Sequence, residues 1–430
     1  MSSPIVVSPR GTAPLWTVHA IALLSSIGTA VVQQGVYLLL KARYDAAPSI
    51  NFGVGLLFGV MYLAAALGIG PAIDRINRRS KKVTTRLILG LVLVAMAFTC
   101  AIPWAAQTFL GSTSIAWWWV VVAVYSPLTG LQWPLVESYL SGGRTEAALR
   151  KATGQFNVVW GGSMLVSYVL MSPLIKSAQT ELIALVGIIH ILTLLVLLAM
   201  PRDPAAHGDH VHVPPADYRR HLAIFRILLP TSYLVAGTLM PFLPSAVERL
   251  QFGPEFWALV IATWHAARVL TFAVMGRWHG WHGRWATPNV GAAGMLLGFC
   301  ICLLAPLVGS HAGMTIGQVM LILGLAPLGM GMGVIYAGAI YYALEVGQAD
   351  VDAGGAHESL IGLGMTLGPG CGLAISGASE MGWIAQEASD AALLVFALVA
   401  GLVFCLVALR SSMRHARVAA TPPSELPPPA

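Results

Sequence analysis

An arginine stands inside an uninterrupted apolar run, WALVIATWHAARVLTFAVM, and few residues are harder to place there. Arg268 lies eight residues before the end of the run 254–276, which at 1.5 Å per helical residue is a depth of roughly 12 Å. A charge so placed is costly unless it faces a cavity or a partner. Its chemistry is specific, because a guanidinium binds a carboxylate or phosphate through two parallel hydrogen bonds, as lysine cannot. His265, three residues earlier, falls on nearly the same helix face and could exchange a coupling proton. At similar depth in another run stand Gln132 and Trp133, beside the bend expected at Pro134. Gln33 and Gln34 add amides, and Tyr341 and Tyr342 add hydroxyls. For these amides and tyrosines, ligand contact and interhelical hydrogen bonding are equally good readings. His19 and His190 read as histidines satisfied locally.

Other chemistries lack their signatures. There is no GxxxxGK[ST] loop to drive a cycle with ATP, and no HExxH, CxxC or GxSxG. Glu137, Glu345 and Glu358 lie near the ends of their runs, where a buried acid or base is not expected. An enzyme is not indicated, and neither a cofactor nor a metal is expected. The five cysteines all fall in apolar runs, so they read as small core residues.

The elements that must position Arg268 follow from composition. Hydrophobic residues make up 57% of the 430 and charged residues 10%, too few charges to cover a water-exposed surface. A helix needs about 20 apolar residues to cross a bilayer. Runs of that kind recur near 15–41, 51–73, 84–103, 114–140, 154–175, 181–201, 222–245, 254–276, 287–309, 314–345, 355–376 and 390–410. The expected fold is an all-α membrane protein of twelve transmembrane helices. No cleavable signal peptide is expected before the first run.

Charge placement orients the chain. With a cytoplasmic N-terminus, nineteen of the 24 Lys and Arg fall on the inner side, four fall outside (Lys41, Arg43, Lys176, Arg249), and Arg268 is in between. That is a strong positive-inside bias, so both termini are expected in the cytoplasm, and the cell inner membrane is the expected location. The basic balance therefore reports topology, and no basic-aromatic stretch suggests nucleic acid.

Composition also divides the chain. Residues 202–221 (RDPAAHGDHVHVPPADYRRH) are polar and proline-rich, reading as a cytoplasmic linker between six-helix bundles at 1–201 and 222–411. His207, His210 and His212 within it could chelate a transition metal, although a flexible loop explains them as well. Residues 412–430 read as a disordered cytoplasmic tail. The halves echo one another. GPAIDRINRR at 70–79 and GRWHGWHGRW at 276–285 share their glycine and Arg78/Arg284 at an offset of 206, while Glu137 and Glu345 recur at 208. Pseudo-symmetric halves of this kind are typical of secondary transporters, whose site lies near the midplane between them.

The segment Gly70-Pro-Ala-Ile-Asp74-Arg75-Ile-Asn77-Arg78-Arg79 resembles the loop signature of the major facilitator superfamily, with Asn77 in place of a glycine. With the twelve runs, the linker and the second copy, the resemblance extends over almost the whole chain, and it is closest to bacterial carriers of unassigned substrate. It implies a secondary active transporter working by alternating access on a small molecule. It also implies that Asp74 caps the helix starting near Gly354–Gly355 and that Arg78 meets Glu137. The repeat adds a second latch between Arg284 and Glu345. GMTLGPGCG at 364–372 resembles a glycine-proline motif of drug exporters, which there lies in the fifth helix. Here it reads as close helix packing with a proline bend, and export is one open direction of transport. The substrate is expected to be anionic, and a proton is the candidate coupling ion. A receptor or scaffold that keeps the fold without transporting is the alternative.

The charge bias is testable. A cysteine placed in the linker as His210→Cys, with native cysteines replaced, should resist an impermeant maleimide on intact cells and react after permeabilisation. Labelling of intact cells would reverse the orientation.

Overall fold

The computed structural model describes residues 11–79, 82–205, 215–347 and 351–420. Lys81, the histidines at 207, 210 and 212, and the tail from 421 lie outside the described residues. All regular structure among the described residues is helical. Helix α1 (Leu15–Gly28) passes without a break through a π-helical turn (Thr29–Gln34) into α2 (Val36–Tyr44). Then follow α3 (Pro48–Arg79), α4 (Thr85–Leu110), α5 (Ala116–Ser141), α6 (Glu146–Met171) and α7 (Gln179–Leu197). The rest of the chain forms α8 (Ala216–Arg249), α9 (Pro254–Arg277), α10 (Ala286–Ala312), α11 (Met314–Gly347), α12 (Val351–Glu380) and α13 (Gln386–Ala420). Every expected apolar run coincides with one of these rods, the first being α1, the π turn and α2 together.

Ten of the rods are long and apolar enough to cross a membrane. Helix α6 is not among them, because Arg150, Lys151, Gln155 and Asn157 interrupt its apolar face. Helix α13 offers a shorter apolar stretch, Ala388–Phe404. Large apolar side chains face outward along the rods, among them Phe98 at 72% exposed and Leu195 at 64%. On a soluble surface these would form aggregating patches, whereas acyl chains cover them at no cost.

Several boundaries differ from expectation, each for a local reason. The basic segment after residue 70 is not a turn. Helix α3 continues through it to Arg79, tolerating Pro71, with Arg78 and Arg79 in its last turn where cations suit the helix dipole. Helix α8 begins six residues before the expected end of the linker. Helix α13 continues to Ala420, so residues 412–420, expected in the tail, are helical. That stretch is rich in Arg, Met and Ala, good helix formers, and holds no proline or glycine. The second copy of the basic segment does form a loop. Helix α9 stops at Arg277, a 3₁₀ turn spans His279–Trp281, and Gly283 takes φ +69, where glycine is unstrained.

Helices from the first half pack on helices from the second along glycine-lined seams. In one seam α3 meets α12, and Gly355 on α12 lies against Ala66 and Ile69. In another α6 meets α9, where a Cβ on Gly154 would sit 3.0 Å from the Cα of Gly276. The 364–372 segment is packing of the same kind, as the sequence suggests. A Cβ on Gly364 would lie 2.7 Å from Leu234 N and Tyr233 Cβ, and one on Gly368 would lie 2.8 Å from Thr238 N. Small residues let backbones approach, which supplies the dispersion contact that holds membrane helices together. At the end of the bundle away from the 278–285 loop, Lys41 bridges the halves to Glu248 at 2.8 Å, and Ser49 N–H donates to Glu380 at 3.0 Å.

Gly364→Val should therefore force α8 from α12 and cost about 1–3 kcal/mol, as overpacking does. A lower melting temperature in detergent checks this. Gly377→Ala, at a position with nothing within 4 Å, should leave melting unchanged.

Candidate functional site

Where these helices converge they line a small central cavity, which shares Gln33, Gln34, Tyr233, Arg268 and Met365 with a neighbouring one. Arg268 on α9 lines both, and it is 2% exposed. Three rings surround the guanidinium carbon: Trp160 of α6 at 4.7 Å, Tyr336 of α11 at 5.1 Å and Phe272 of α9 at 5.5 Å. Its one hydrogen bond is from Nη2 to the Tyr233 hydroxyl on α8, at 3.4 Å, and Nε has no partner. Among the described residues no carboxylate pairs with it. Cation–π contacts give about 0.5–2 kcal/mol each, whereas removing such an ion from water costs several kcal/mol. The box holds the charge in place without satisfying its donors, and an anion would.

The other expected binding residues divide. Gln33 and Gln34 line both cavities, and Trp133 lines the first. The π turn carries the two glutamines, and its Gly35 N–H reaches back five residues to Ala30 O at 2.7 Å. Such insertions in a helix often mark functional sites. Gln132 points elsewhere, donating to Ser25 Oγ at 2.5 Å inside the first half. His265 does not line the cavity either. Its ring is buried between Tyr168 (4.8 Å) and Trp264 (5.5 Å), with both nitrogens unpartnered. Tyr341 lines a separate pocket with Arg150, Trp281 and His282 at the end of the bundle that carries the 278–285 loop. Sequence reasoning passed over Tyr62, Tyr233 and Tyr336, because a tyrosine in an apolar run carries no mark of the face it takes.

The carboxylates correct two expectations. Glu137, Glu345 and Glu358 are 1%, 4% and 3% exposed, so lying near a helix end does not place them in water. Glu358 lines the same cavity as Arg268, although it reads from the sequence as a residue near a helix end. Tyr62 donates a hydrogen bond to Glu358 Oε2.

The expected latches are not formed in this conformation. Arg78 is exposed and its Nε donates to the Asp74 carbonyl one turn back, at 3.3 Å, so it does not reach Glu137. The Glu137 carboxylate instead faces α12, 3.1 Å from where a Cβ on Gly354 would stand. Asp74 and Arg75 are exposed, and the Asp74 carboxylate caps no helix among the described residues. Arg284 lies over the Trp278 ring at 5.8 Å and not on Glu345. For Asp74, Arg75 and Arg78 the cause is one: α3 stays helical to Arg79, which carries its cations outward along a rod.

Neither a protein family nor a curated protein matches the sequence. Solved structures do match in fold. The human organic anion transporter MFSD10 (TETRAN) is 15% identical with a TM-score of 0.61, over 93% of this chain and 100% of that one. The nucleoside transporter NupG matches at 13% identity and a TM-score of 0.60, over 92% and 98%. A variant of NupG matches at 12% and 0.64, over 92% and 99%. The chain is thus a multi-pass membrane protein with a fold shared by membrane transporters.

The loop pocket generates a pH prediction. Burial, with Arg150 and His279 nearby, pushes the His282 imidazole down to about 4. The unfolded chain then binds this proton near pH 6.5 and the folded chain does not. Stability should fall as pH drops from 6.5 towards 4, and His282→Gln should flatten that part of the curve. Melting temperature against pH checks it.

Proposed function

We propose that the chain is a secondary active transporter that moves a small organic anion across a membrane by alternating access. The observation that carries this is Arg268, buried in an aromatic box and lining the central cavity with a single long hydrogen bond and its Nε unpartnered. Gln33, Gln34, Tyr233 and Trp133 supply further polar and planar surface around it. That combination suits an anion attached to a flat or apolar body, with the guanidinium on the charge and rings on the remainder. One structure of similar fold is described as an organic anion transporter, in agreement with this substrate class. Resemblance to the major facilitator superfamily supports twelve crossings in two pseudo-symmetric bundles, and the cation bias supports cytoplasmic termini.

Alternating access requires the glycine seams to open in turn at either end. Asp74, Arg75, Arg78, Glu137, Arg284 and Glu345 are the proposed gate residues. Of these, Glu137 lies on the α5–α12 seam and would respond directly when it parts. A coupling proton is less suited to His265, whose ring lies off the cavity. A scaffold without transport would have had its cavity filled with apolar side chains, and this one holds an arginine, a glutamate and two amides.

Arg268→Lys keeps the charge but not the fork, and should cut uptake of an organic-anion substrate into proteoliposomes at least tenfold. Arg268→Ala should cut it further while the protein still purifies as a folded monodisperse species. Substrate affinity equal to wild type in a stable Arg268→Ala protein would sink the reading. A lower melting temperature with unchanged affinity would make the arginine structural.

A further inference from the structure

Where α5 meets α12, three ligating side chains converge that anion binding at Arg268 does not use. Glu137 of α5 and His357 and Glu358 of α12 each offer one donor atom, and these atoms lie within 4.8 Å of one another. All three residues are buried, at 1%, 4% and 3% exposure. Three of their atoms are buried without a hydrogen-bond partner: both carboxylate oxygens of Glu137 and Nε2 of His357. Orphaned buried polar atoms are rare and call for an occupant. From this cluster we infer a divalent first-row metal site that joins the two halves of the protein.

The chemistry favours a metal over the simplest rival, a proton shared by the two carboxylates. Two close buried carboxylates cannot both keep their charge without a cation. One proton would satisfy the carboxylates and leave the imidazole nitrogen orphaned, whereas a dication takes all three donors. Bonds of about 2.0–2.2 Å from a metal to oxygen or nitrogen put neighbouring ligand atoms about 3–4 Å apart. The donor atoms, all within 4.8 Å of one another, lie near that spacing. Two carboxylates and one imidazole suit Mn²⁺, Fe²⁺ or Zn²⁺. The Tyr62 hydroxyl on Glu358 Oε2 fixes that carboxylate and leaves its other oxygen for the ion. Glu358 also lines the central cavity, which gives an ion a way in. Because Glu137 and the α12 pair lie on opposite halves, the ion would hold this seam closed.

The test uses the full chain with His207→Ala, His210→Ala and His212→Ala, which removes the linker histidines as competing ligands. After EDTA treatment, Mn²⁺ uptake is followed by electron paramagnetic resonance and Zn²⁺ uptake by calorimetry. One ion per chain is expected, with a raised melting temperature. Glu137→Gln and Glu358→Gln should each weaken binding more than tenfold, and Tyr62→Phe about tenfold. If either glutamine variant fails to fold, His357→Gln serves, and it should weaken binding comparably. Absence of saturable uptake, or uptake unchanged by these variants, overturns the site. A melting temperature that follows pH but not metal, with that dependence lost in Glu137→Gln, assigns the pair to a shared proton and also overturns it. Metal uptake is measured without transport, so its failure leaves the reading of Arg268 standing.

Discussion

A guanidinium held out of water without an ion pair is the constraint on which the rest of the structure depends. Burying Arg268 costs several kcal/mol, more than a single hydroxyl bond returns. The surrounding structure compensates with ring faces from α6, α9 and α11 and a hydroxyl from α8. Four helices are therefore committed to one side chain. Two of them, α8 and α9, meet the first half of the chain at α2, α3 and α6, which places the charge at the junction of the halves. An anion of the kind proposed would offset the remaining cost and satisfy the box.

Glycine makes that junction possible. The seams at α3–α12 and α6–α9 each have glycines where a larger side chain would meet backbone, as α8–α12 does within the second half. Close approach gives strong dispersion contact but no deep interlocking of side chains. Such surfaces can part and re-form, whereas interdigitated ones would need many rotamers to change together. Polar ties across the halves are few, and Lys41–Glu248 and Ser49–Glu380 lie at the rim. The seams and the arginine box thus belong to one arrangement: a charge that needs a partner, placed where the proposed alternating access would part the helices.

The carboxylate cluster adds a second unsatisfied charge on the same junction. Glu137 stands out in the sequence, but the side chains that face it do not. The sequence pairs it with Arg78 through the family resemblance, and the structure turns it towards Glu358 and His357. The difference arises in the backbone. A helix continuing to Arg79 carries its cations along the rod axis, and a turn at Asn77 would have folded them under α5. One undecided turn therefore redirects both contacts expected of the 70–79 segment, the Asp74 cap and the Arg78–Glu137 pair.

Much was legible without coordinates because the solvent imposes it. Apolar runs long enough to cross a bilayer fix the number and order of the rods. An arginine within such a run announces a cavity, because the bilayer offers it nothing else. Gln33, Gln34, Trp133 and Arg268 do line that cavity. Gln132, His265 and Tyr341 share the same depth and residue types, yet they turn to Ser25, to Tyr168 and to a different pocket. Depth along a helix is a property of the sequence, at 1.5 Å per residue. Facing is not, in a rod that is apolar on every side. No amphipathic stripe marks its orientation, and a π turn such as Thr29–Gln34 rotates everything after it. Which side of each rod meets the cavity, and which carboxylates come together there, is set only when the helices pack.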